Sequence, residues 1–254
     1  MRDFPSVASG LPVFFFPEIG STNAEALTRA ASGAPEQWIV SEIQTAGRGR
    51  RGRTWVSEAG NLYSSLLLYD PAPPAQSPQI CFVAALAVHD AITDLAPALA
   101  RERLRLKWPN DLLLDGKKIV GILVEGVATD GRQAVVTGIG VNCRHHPEAT
   151  TYPTTDLAAA GLSLSSKDVF ARLATCFMSR LAQWQRGVGF PAIRNAWLAR
   201  AYGIGGEIEV RLQERALRGT FKAIDEDGAL VLGLEDGHSE LIRAGDIFPA
   251  TSFR

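Results

Sequence analysis

The chain has 254 residues, and its 26 Lys and Arg against 27 Asp and Glu give a formal net charge of −1. This length suffices for one or two domains with a substantial buried core, and 46% hydrophobic with 21% charged residues is typical of globular proteins. A domain that binds nucleic acid usually carries a basic surplus, so the balance argues against a general polyanion-binding surface.

Three widely spaced cysteines, Cys81, Cys143 and Cys176, include no C-x-x-C pair. They indicate neither a disulfide framework nor a zinc site, and reduced thiols in the cytoplasm are the simplest interpretation. The N-terminal residues lack the long apolar core of a signal peptide. Polar residues at helical spacing interrupt the apolar stretch at 81–100, which predicts a core helix and no membrane span.

Strands and helices alternate through the first four-fifths of the chain, which predicts a mixed α/β domain. Thr22 and Glu25 have the spacing of a capping box, and Gly33 can end the same helix in a left-handed conformation. Asp115-Gly116 between two apolar runs predicts a tight β-hairpin. In chain order, the pattern predicts strands at 13–20, 38–45, 61–70, 104–108, 110–114, 117–126 and 134–142, and helices at 21–33, about 80–97 and within 167–200.

The pattern of hydrophobic and polar residues changes near Gly203. The short alternating runs EIEVRL, ALRGTFKAI, ALVLGL and HSELIRAGDI follow, separated by turns such as DEDG and EDG. We therefore predict an α/β domain over residues 1–203 and a small all-β barrel over residues 204–254.

Residues 44–55 read QTAGRGRRGRTW, with four arginines between glycines. Arginine pairs bidentately with phosphate or carboxylate, and glycine lets backbone amides approach the same anion. The segment lies between two predicted strands and is closed by Trp55, which favours a loop around one small anion. A solvated surface loop and a nucleic-acid-binding hook are the alternatives.

Residues 107–125 read KWPNDLLLDGKKIVGILVE. Pro109 breaks the preceding strand, so Asn110 and Asp111 are displayed at a strand end, a common place for catalytic side chains. Ordinary turn chemistry is the alternative, because Asn and Asp favour turns.

The run GIGVN at 138–142 resembles the start of a G-x-G-x-x-G fingerprint, but Cys143 stands where the third glycine belongs and no helix follows. The glycines instead indicate that another group lies close against a strand, with Asn142 at its end. Cys143, His145 and His146 have no fourth ligand at a suitable spacing, so no metal site is predicted. A G-x-S-x-G motif for a serine hydrolase is absent from the sequence.

Together these segments resemble the biotin protein ligases, also called biotin–[acetyl-CoA-carboxylase] ligases. The resemblance covers most of residues 14–145 and continues more loosely through the C-terminal β module. It implies a catalytic domain with a mixed sheet, similar to class II aminoacyl-tRNA synthetases, followed by an SH3-like barrel. It rests on STN at 21–23, QTAGRGRRGRTW, NLYSSLLL at 61–68, KWPNDLLLDGKKIVGILVE and GIGVN, in the family's order and spacing.

The resemblance implies a two-step reaction. Biotin and ATP would give biotinyl-5′-AMP and pyrophosphate, and a lysine of a biotin carboxyl carrier protein or carboxylase biotinyl domain would then receive the biotin. Mg²⁺ is expected with ATP. Roughly a dozen residues precede the first strand, too few for the helix-turn-helix of the family's repressors, so no DNA partner is expected. The family includes monomers and dimers, so a homodimer stays open.

The positions that match the family's motifs imply three overlapping sets of site residues in this chain. Lys118, Arg48 and Asp111 are implied as catalytic, and Asp111 is hypothesised to orient the incoming lysine or a magnesium ion. The implied biotin-binding residues are Ser21, Thr22, Asn23, Gln44, Arg48, Gly49, Arg50 and Lys118. The implied ATP- or adenylate-binding residues are Arg50, Arg51, Arg53, Trp55, Asn110, Asp111 and Asn142.

Two other functions stay open on the sequence. A lipoate– or octanoate–protein ligase would share the scaffold, and a nucleic-acid-binding module would use the same arginines. The balanced charge argues against the second.

Overall fold

The structure, a computed structural model, describes residues 10–148, 150 and 152–249. The strands are β1 (Val13–Ile19), β2 (Gln37–Gln44), β3 (Leu62–Tyr69), β4 (Leu104–Lys107), β5 (Asp111–Leu114), β6 (Lys117–Thr129), β7 (Arg132–Val141), β8 (Glu207–Arg211), β9 (Ala216–Ile224), β10 (Leu230–Gly233), β11 (Ser239–Ile242) and β12 (Asp246–Pro249). The helices are α1 (Thr22–Ala31), α2 (Ile80–Leu95), α3 (Ser166–Trp184) and α4 (Phe190–Leu198). The predicted helical region at 167–200 is therefore two helices, and the run at 238–247 forms two strands.

A seven-stranded sheet in the order β1-β2-β3-β7-β6-β5-β4 forms the scaffold of the first domain. Strands β1 and β2 pair in parallel, and the other neighbours are antiparallel. A parallel pair needs a crossover connection, which α1 provides. The predicted mixed sheet is confirmed.

Strand β7 shows why the two faces of this sheet differ. Val135, Ile139 and Val141 face the large core that includes α2 and α3, whereas Ala134 and Val136 face a smaller core under α1. Further along the α1 face, β7 carries glycines instead of apolar side chains. The sheet surface is therefore open there, beside the start of α1.

Helix α1 begins one residue earlier than the capping-box spacing predicts. Ser21 is the N-cap and accepts a hydrogen bond from the backbone amide three residues on, so the predicted Thr22–Glu25 box is wrong. Glu25 pairs instead with Arg29, one turn later, at 2.7 Å. Gly33 follows the helix with φ of 74°, which confirms the predicted left-handed end.

Strand β6 is bounded by two tight turns. Leu114 pairs with Lys117, which leaves Asp115-Gly116 as a two-residue turn with φ of 51° and 75°, as predicted. The connection from β6 to β7 is a second Asp-Gly turn at residues 130–131, with φ of 46° and 76°.

Strands β8 to β12 form a separate antiparallel sheet in the order β11-β10-β9-β8-β12. An α/β domain followed by a small β domain is thus confirmed, and the boundary at residues 203/204 stays a prediction. The two parts pack directly, because Trp108 Nε1 donates a hydrogen bond to the carbonyl of Gly228 at 3.2 Å. Among the described helices, none has the length and apolar character required to cross a bilayer.

Candidate active site

A cavity of about 450 Å³ opens on the α1 face of the seven-stranded sheet. The glycines of β6 and β7 form its floor, and the start of α1, the Arg/Gly segment and the C-terminal domain form its walls. Of the residues implied for binding or catalysis, Arg51 is absent from its lining. The others line it: Ser21, Thr22, Asn23, Gln44, Arg48, Gly49, Arg50, Arg53, Trp55, Asn110, Asp111, Lys118 and Asn142.

One end of the cavity is polar and cross-linked by hydrogen bonds. Gln44 Oε1 accepts from the backbone amide of Thr22 at 2.8 Å and lies 3.1 Å from its hydroxyl, while Gln44 Nε2 donates to Ser57 at 2.9 Å. Ser65 on β3 donates to Asn23 Oδ1 at 2.6 Å. This network holds an amide and several hydroxyl groups in fixed directions, as recognition of a small polar head group requires.

Glu125 on β6 joins this polar end to the Arg/Gly segment. Its Oε2 accepts from Asn23 Nδ2 at 2.8 Å and from Arg48 Nη2 at 2.9 Å. Gly138 makes room for Asn23, because a Cβ at that position would lie 2.1 Å from Asn23 Oδ1. The prediction that the glycines of GIGVN allow another group to lie close against the strand is therefore confirmed.

The indole of Trp55 lies against the floor of the cavity. A Cβ at Gly121 on β6 or at Gly140 on β7 would approach atoms of this ring to 2.6 Å. Lys118 Nζ lies 5.3 Å from the ring centroid. Trp55 therefore forms an apolar wall next to the most strongly charged part of the site.

The charged end is centred on Asp111 at the start of β5. Its carboxylate lies 2.6 Å from Lys118 Nζ and 3.7 Å from Lys107 Nζ. Burial by itself would raise the pKa of Asp111, but the two lysines outweigh burial and hold the pKa below its ordinary value. Asp111 is therefore an ionised carboxylate between two amines.

Lys107 is enclosed between the two domains. Its Nζ lies 3.5 Å from the ring centroid of Tyr152 and 5.6 Å from that of Phe248, and the two rings stack at 4.5 Å. Burial lowers the pKa of Lys107 to about 8, although the nearby carboxylate of Asp111 opposes this shift.

The Arg/Gly segment folds into a short hairpin over residues 47–55, called the Arg/Gly hairpin below. Gly49 N donates to Arg53 O at 2.7 Å, and Trp55 N donates to Gly47 O at 3.0 Å. Arg51 at its tip has φ of 56°. The segment is therefore a folded wall of the cavity with its own backbone hydrogen bonds.

Three guanidinium groups of the Arg/Gly hairpin meet Asp246, the first residue of β12. Arg53 Nη2 lies 2.9 Å from its carboxylate, Arg51 Nη1 lies 3.7 Å away and Arg50 Nη1 lies 3.8 Å away. Arg50 Nη1 also donates to Asn110 Oδ1 at 3.1 Å. One carboxylate of the C-terminal domain is thus shared by three arginines.

Seven residues of this arrangement were not identified from the sequence: Ser57, Ser65, Lys107, Glu125, Tyr152, Asp246 and Phe248. Lys107 and Glu125 begin and end the KWPND…LVE segment, so their place in that motif was an available signal. Tyr152 and Asp246 lie outside any recognisable motif. Folding alone brings them to the cavity.

Within the described part of the chain, no three His, Cys, Asp or Glu side chains are grouped as a metal site requires. Cys143 is buried, and His146 Nδ1 lies 2.6 Å from Asp156 Oδ2.

The fold and the cavity define an α/β protein whose polar, apolar and cationic surfaces together suit a small organic acid held beside phosphate groups. The chain belongs to the biotin/lipoate A/B protein ligase family, whose sequence profile matches residues 16–142. The profile of the biotin protein ligase C-terminal domain matches residues 203–248.

Similar sequences and similar solved structures belong to the same family. The chain is 40% identical over 238 residues to a biotin–[acetyl-CoA-carboxylase] ligase from Paracoccus denitrificans, covering 90% of this chain and 96% of that protein. It is 33% identical to the bifunctional ligase/repressor BirA from Bacillus subtilis, covering 92% of this chain and 73% of that protein. The structure of the Aquifex aeolicus biotin protein ligase in complex with biotin and ATP superposes with a TM-score of 0.78 at 25% identity, covering 93% of this chain and 97% of that chain.

Proposed function

We propose that this protein is an ATP-dependent biotin protein ligase. In the first step, a carboxylate oxygen of biotin attacks the α-phosphorus of ATP, and the bond from that phosphorus to the bridging oxygen breaks to release pyrophosphate. In the second step, a lysine amine of a biotin carboxyl carrier domain attacks the carbonyl carbon of biotinyl-5′-AMP. The amide forms, AMP leaves, and the amine loses its proton.

The observation that carries this proposal is the joining of two kinds of site in one cavity. A fixed polar end is built from Thr22, Asn23 and Gln44, and a cationic end is built around Lys118. The first suits the ureido head of biotin. The second suits the carboxylate and the α-phosphate, where negative charge develops in the transition state.

The proposed roles follow this division of the cavity. Lys118 and Arg48 would contact the biotin carboxylate and the transferred phosphate, since both side chains line the cavity. Trp55 would close the site beside the adenylate. The remaining proposed contacts to biotin are Ser21, Thr22, Asn23, Gln44, Gly49 and Arg50, and those to ATP or the adenylate are Arg50, Arg51, Arg53, Asn110, Asp111 and Asn142.

Asp111 is proposed to act in the transfer step. Its ionised carboxylate lies at the cavity beside Lys118, where it can accept a hydrogen bond from the incoming amine. Asp111→Ala should therefore slow transfer from preformed biotinyl-5′-AMP more than it weakens biotin binding. Transfer by Asp111→Ala at the wild-type rate would contradict a role of Asp111 in this step.

The finer features of the reaction stay proposals. The acceptor is proposed to be a biotin carboxyl carrier protein or the biotinyl domain of a carboxylase. Mg²⁺ would arrive with the ATP phosphates, whose charge it neutralises. The cytoplasmic location and a homodimer stay predictions.

The test is ATP–pyrophosphate exchange, run separately with biotin, lipoate and octanoate. We expect exchange with biotin alone. Exchange with lipoate or octanoate in place of biotin would keep the family and overturn the proposed substrate. No exchange with any of the three acids would overturn the proposed activation step.

Lys118→Ala provides the matched residue test, with Lys117→Ala as its control. Lys117 is the exposed neighbour on the same strand, whereas Lys118 lines the cavity. We expect Lys118→Ala to lower the exchange rate by about 10²–10³-fold, the usual effect of removing a preorganised charge-stabilising group. Lys117→Ala should stay near the wild-type rate.

A further inference from the structure

Asp246 comes from the C-terminal domain, yet its carboxylate lies among the arginines of the Arg/Gly hairpin. Both of its carboxylate oxygens accept from the single nitrogen Arg53 Nη2, Oδ1 at 3.1 Å and Oδ2 at 2.9 Å. Its side chain is 19% exposed and lines the same cavity as Lys118. This carboxylate therefore occupies the part of the site where the proposed function places nucleotide phosphate.

Three guanidinium groups against one carboxylate leave this cluster with a surplus of positive charge. One carboxylate reduces the mutual repulsion of the arginines but does not neutralise them. A nucleotide polyphosphate carries more charge and more acceptor oxygens than a carboxylate, so it can displace Asp246 from the same guanidinium groups.

We propose that Asp246 is a positioning residue. Its carboxylate is an internal anion that holds the Arg/Gly hairpin on the C-terminal domain until the phosphate groups of a nucleotide replace it as the partner of the arginines. This inference rests on the proposed function for the identity of the incoming anion. Asp246 acts through the arginines and has no contact with the reacting atoms.

The other contacts in the region explain why the exchange can be local. The Arg/Gly hairpin keeps its own backbone bonds, from Gly49 N to Arg53 O and from Trp55 N to Gly47 O, which do not involve Asp246. The C-terminal domain keeps separate contacts to the α/β domain, such as the Trp108–Gly228 hydrogen bond. Release of Asp246 removes its contacts to Arg50, Arg51 and Arg53, whereas the pair of Arg48 with Glu125 and the hydrogen bond from Arg50 Nη1 to the carbonyl of Gly245 at 3.4 Å do not involve this carboxylate. The release therefore loosens the tip of the hairpin without separating the domains.

The contact of Asp246 with the arginines of the hairpin is called the latch below. Limited trypsin digestion tests the latch without any substrate, because the hairpin contains four arginine cleavage sites. We expect Asp246→Asn to speed cleavage in the hairpin about fivefold or more relative to wild type, since local opening controls proteolysis there. Products would be identified by new N-termini at Gly49, Arg51, Gly52 and Thr54. Asp236→Asn, an exposed carboxylate change in the same domain, is the control and should cleave at the wild-type rate.

The second measurement is the dissociation constant for ATP and for inorganic pyrophosphate by calorimetry. Removal of an internal competitor should make Asp246→Asn bind both ligands about three- to tenfold more tightly. The KM for ATP should fall in the same proportion, and Asp246→Glu should restore the wild-type cleavage rate and affinity. Weaker binding by Asp246→Asn would mean that Asp246 arranges the arginines for the phosphate, which overturns the proposal. An unchanged cleavage rate in the hairpin would overturn it as well.

These results separate the latch from the proposed function. If wild-type protein showed no exchange with biotin but Asp246→Asn still opened the hairpin and bound pyrophosphate more tightly, the latch would stand and the biotin assignment would fail. If exchange with biotin were normal and Asp246→Asn changed neither cleavage nor affinity, the latch would fail and the proposed function would stand. Thermal unfolding confirms that each variant is folded before either measurement.

Discussion

Gly121 and Gly140 face the same indole ring from adjacent strands. They are paired across β6 and β7, and a side chain at either would collide with Trp55. Because the floor has no side chains at these positions, an aromatic ring can lie on the sheet next to Lys118. The absence of a side chain at these two glycines thus sets the shape of the cavity beside its most strongly charged part.

Gly121→Ala tests this arrangement. Overpacking costs about 1–3 kcal/mol, and we expect the new methyl group to displace Trp55 and to raise the KM for ATP in pyrophosphate exchange about tenfold. Tryptophan fluorescence should change with it. Gly126→Ala on the same strand is the control, because its nearest neighbour lies at 3.6 Å and tolerates a Cβ. Equal KM values for the two variants would show that the position of Trp55 does not matter.

Lys107 connects the charge of the site to stability. Its pKa falls to about 8 in the folded protein from 10.5, so between these values the unfolded chain holds a proton that the native chain lacks. The free energy of unfolding therefore rises with pH through this window.

We expect wild type to gain about 2 kcal/mol of stability relative to Lys107→Met between about pH 7 and pH 10. Denaturant unfolding at several pH values measures this difference. Lys117→Met, at an exposed lysine, is the control for the same change of residue type. A pH-independent difference for Lys107→Met would contradict the depressed pKa.

At the scale of elements, β6 is a strand between two Asp-Gly turns of the same type. The first turn sets the register that pairs Lys118 with Leu113, two residues from Asp111, whose carboxylate the Lys118 side chain contacts. The second turn joins β6 to β7 at the opposite end of the strand, by residues 130–131. Both glycines have φ near 75° and open space around them, so they differ in location and not in local geometry.

Gly116→Ala and Gly131→Ala should therefore destabilise the protein equally, by about 1 kcal/mol each, because alanine is strained at this φ. Their effects on catalysis should differ. We expect only Gly116→Ala to lower the rate of pyrophosphate exchange, since its turn carries Lys118. Thermal unfolding and exchange assays on both variants give the comparison, and equal activity would show that the turn does not control Lys118.

At the scale of the whole molecule, the two domains share one hydrophobic core. Phe82 on α2 and Trp108 belong to the same buried cluster as Phe221 and Leu230 of the C-terminal sheet. Gly228 lies at the contact, where a Cβ would come within 2.9 Å of the Phe82 ring. We therefore expect the chain to unfold in a single cooperative transition.

Gly228→Ala measures the strength of this contact. Both Gly228 and Gly237 have positive φ, but Gly237 has open space around it, so Gly237→Ala reports the backbone strain alone. We expect Gly228→Ala to be less stable than Gly237→Ala by about 1–2 kcal/mol, with a Tm lower by a few degrees. Identical Tm values would show that the domain contact accommodates the new methyl group with no loss of stability.

The motifs could be recognised from the sequence because each combines neighbouring residues. The Asp115-Gly116 turn, the left-handed Gly33 and the clustered arginines are local, and the hydrophobic periods that predict the strands and helices are local as well. The Thr22–Glu25 capping box failed because Ser21 competes for the same cap, and sequence spacing does not decide between adjacent candidates.

Contacts between distant segments could not be read in this way. Asp246 and Tyr152 reach the cavity only because the C-terminal sheet and the loop after β7 pack against the α/β domain. The same holds for the close approach of Trp55 to the two glycines, which depends on the register of β6 with β7. Local propensity and short motifs act over a few residues, whereas burial and charge pairing act through space, and folding alone determines which distant side chains meet.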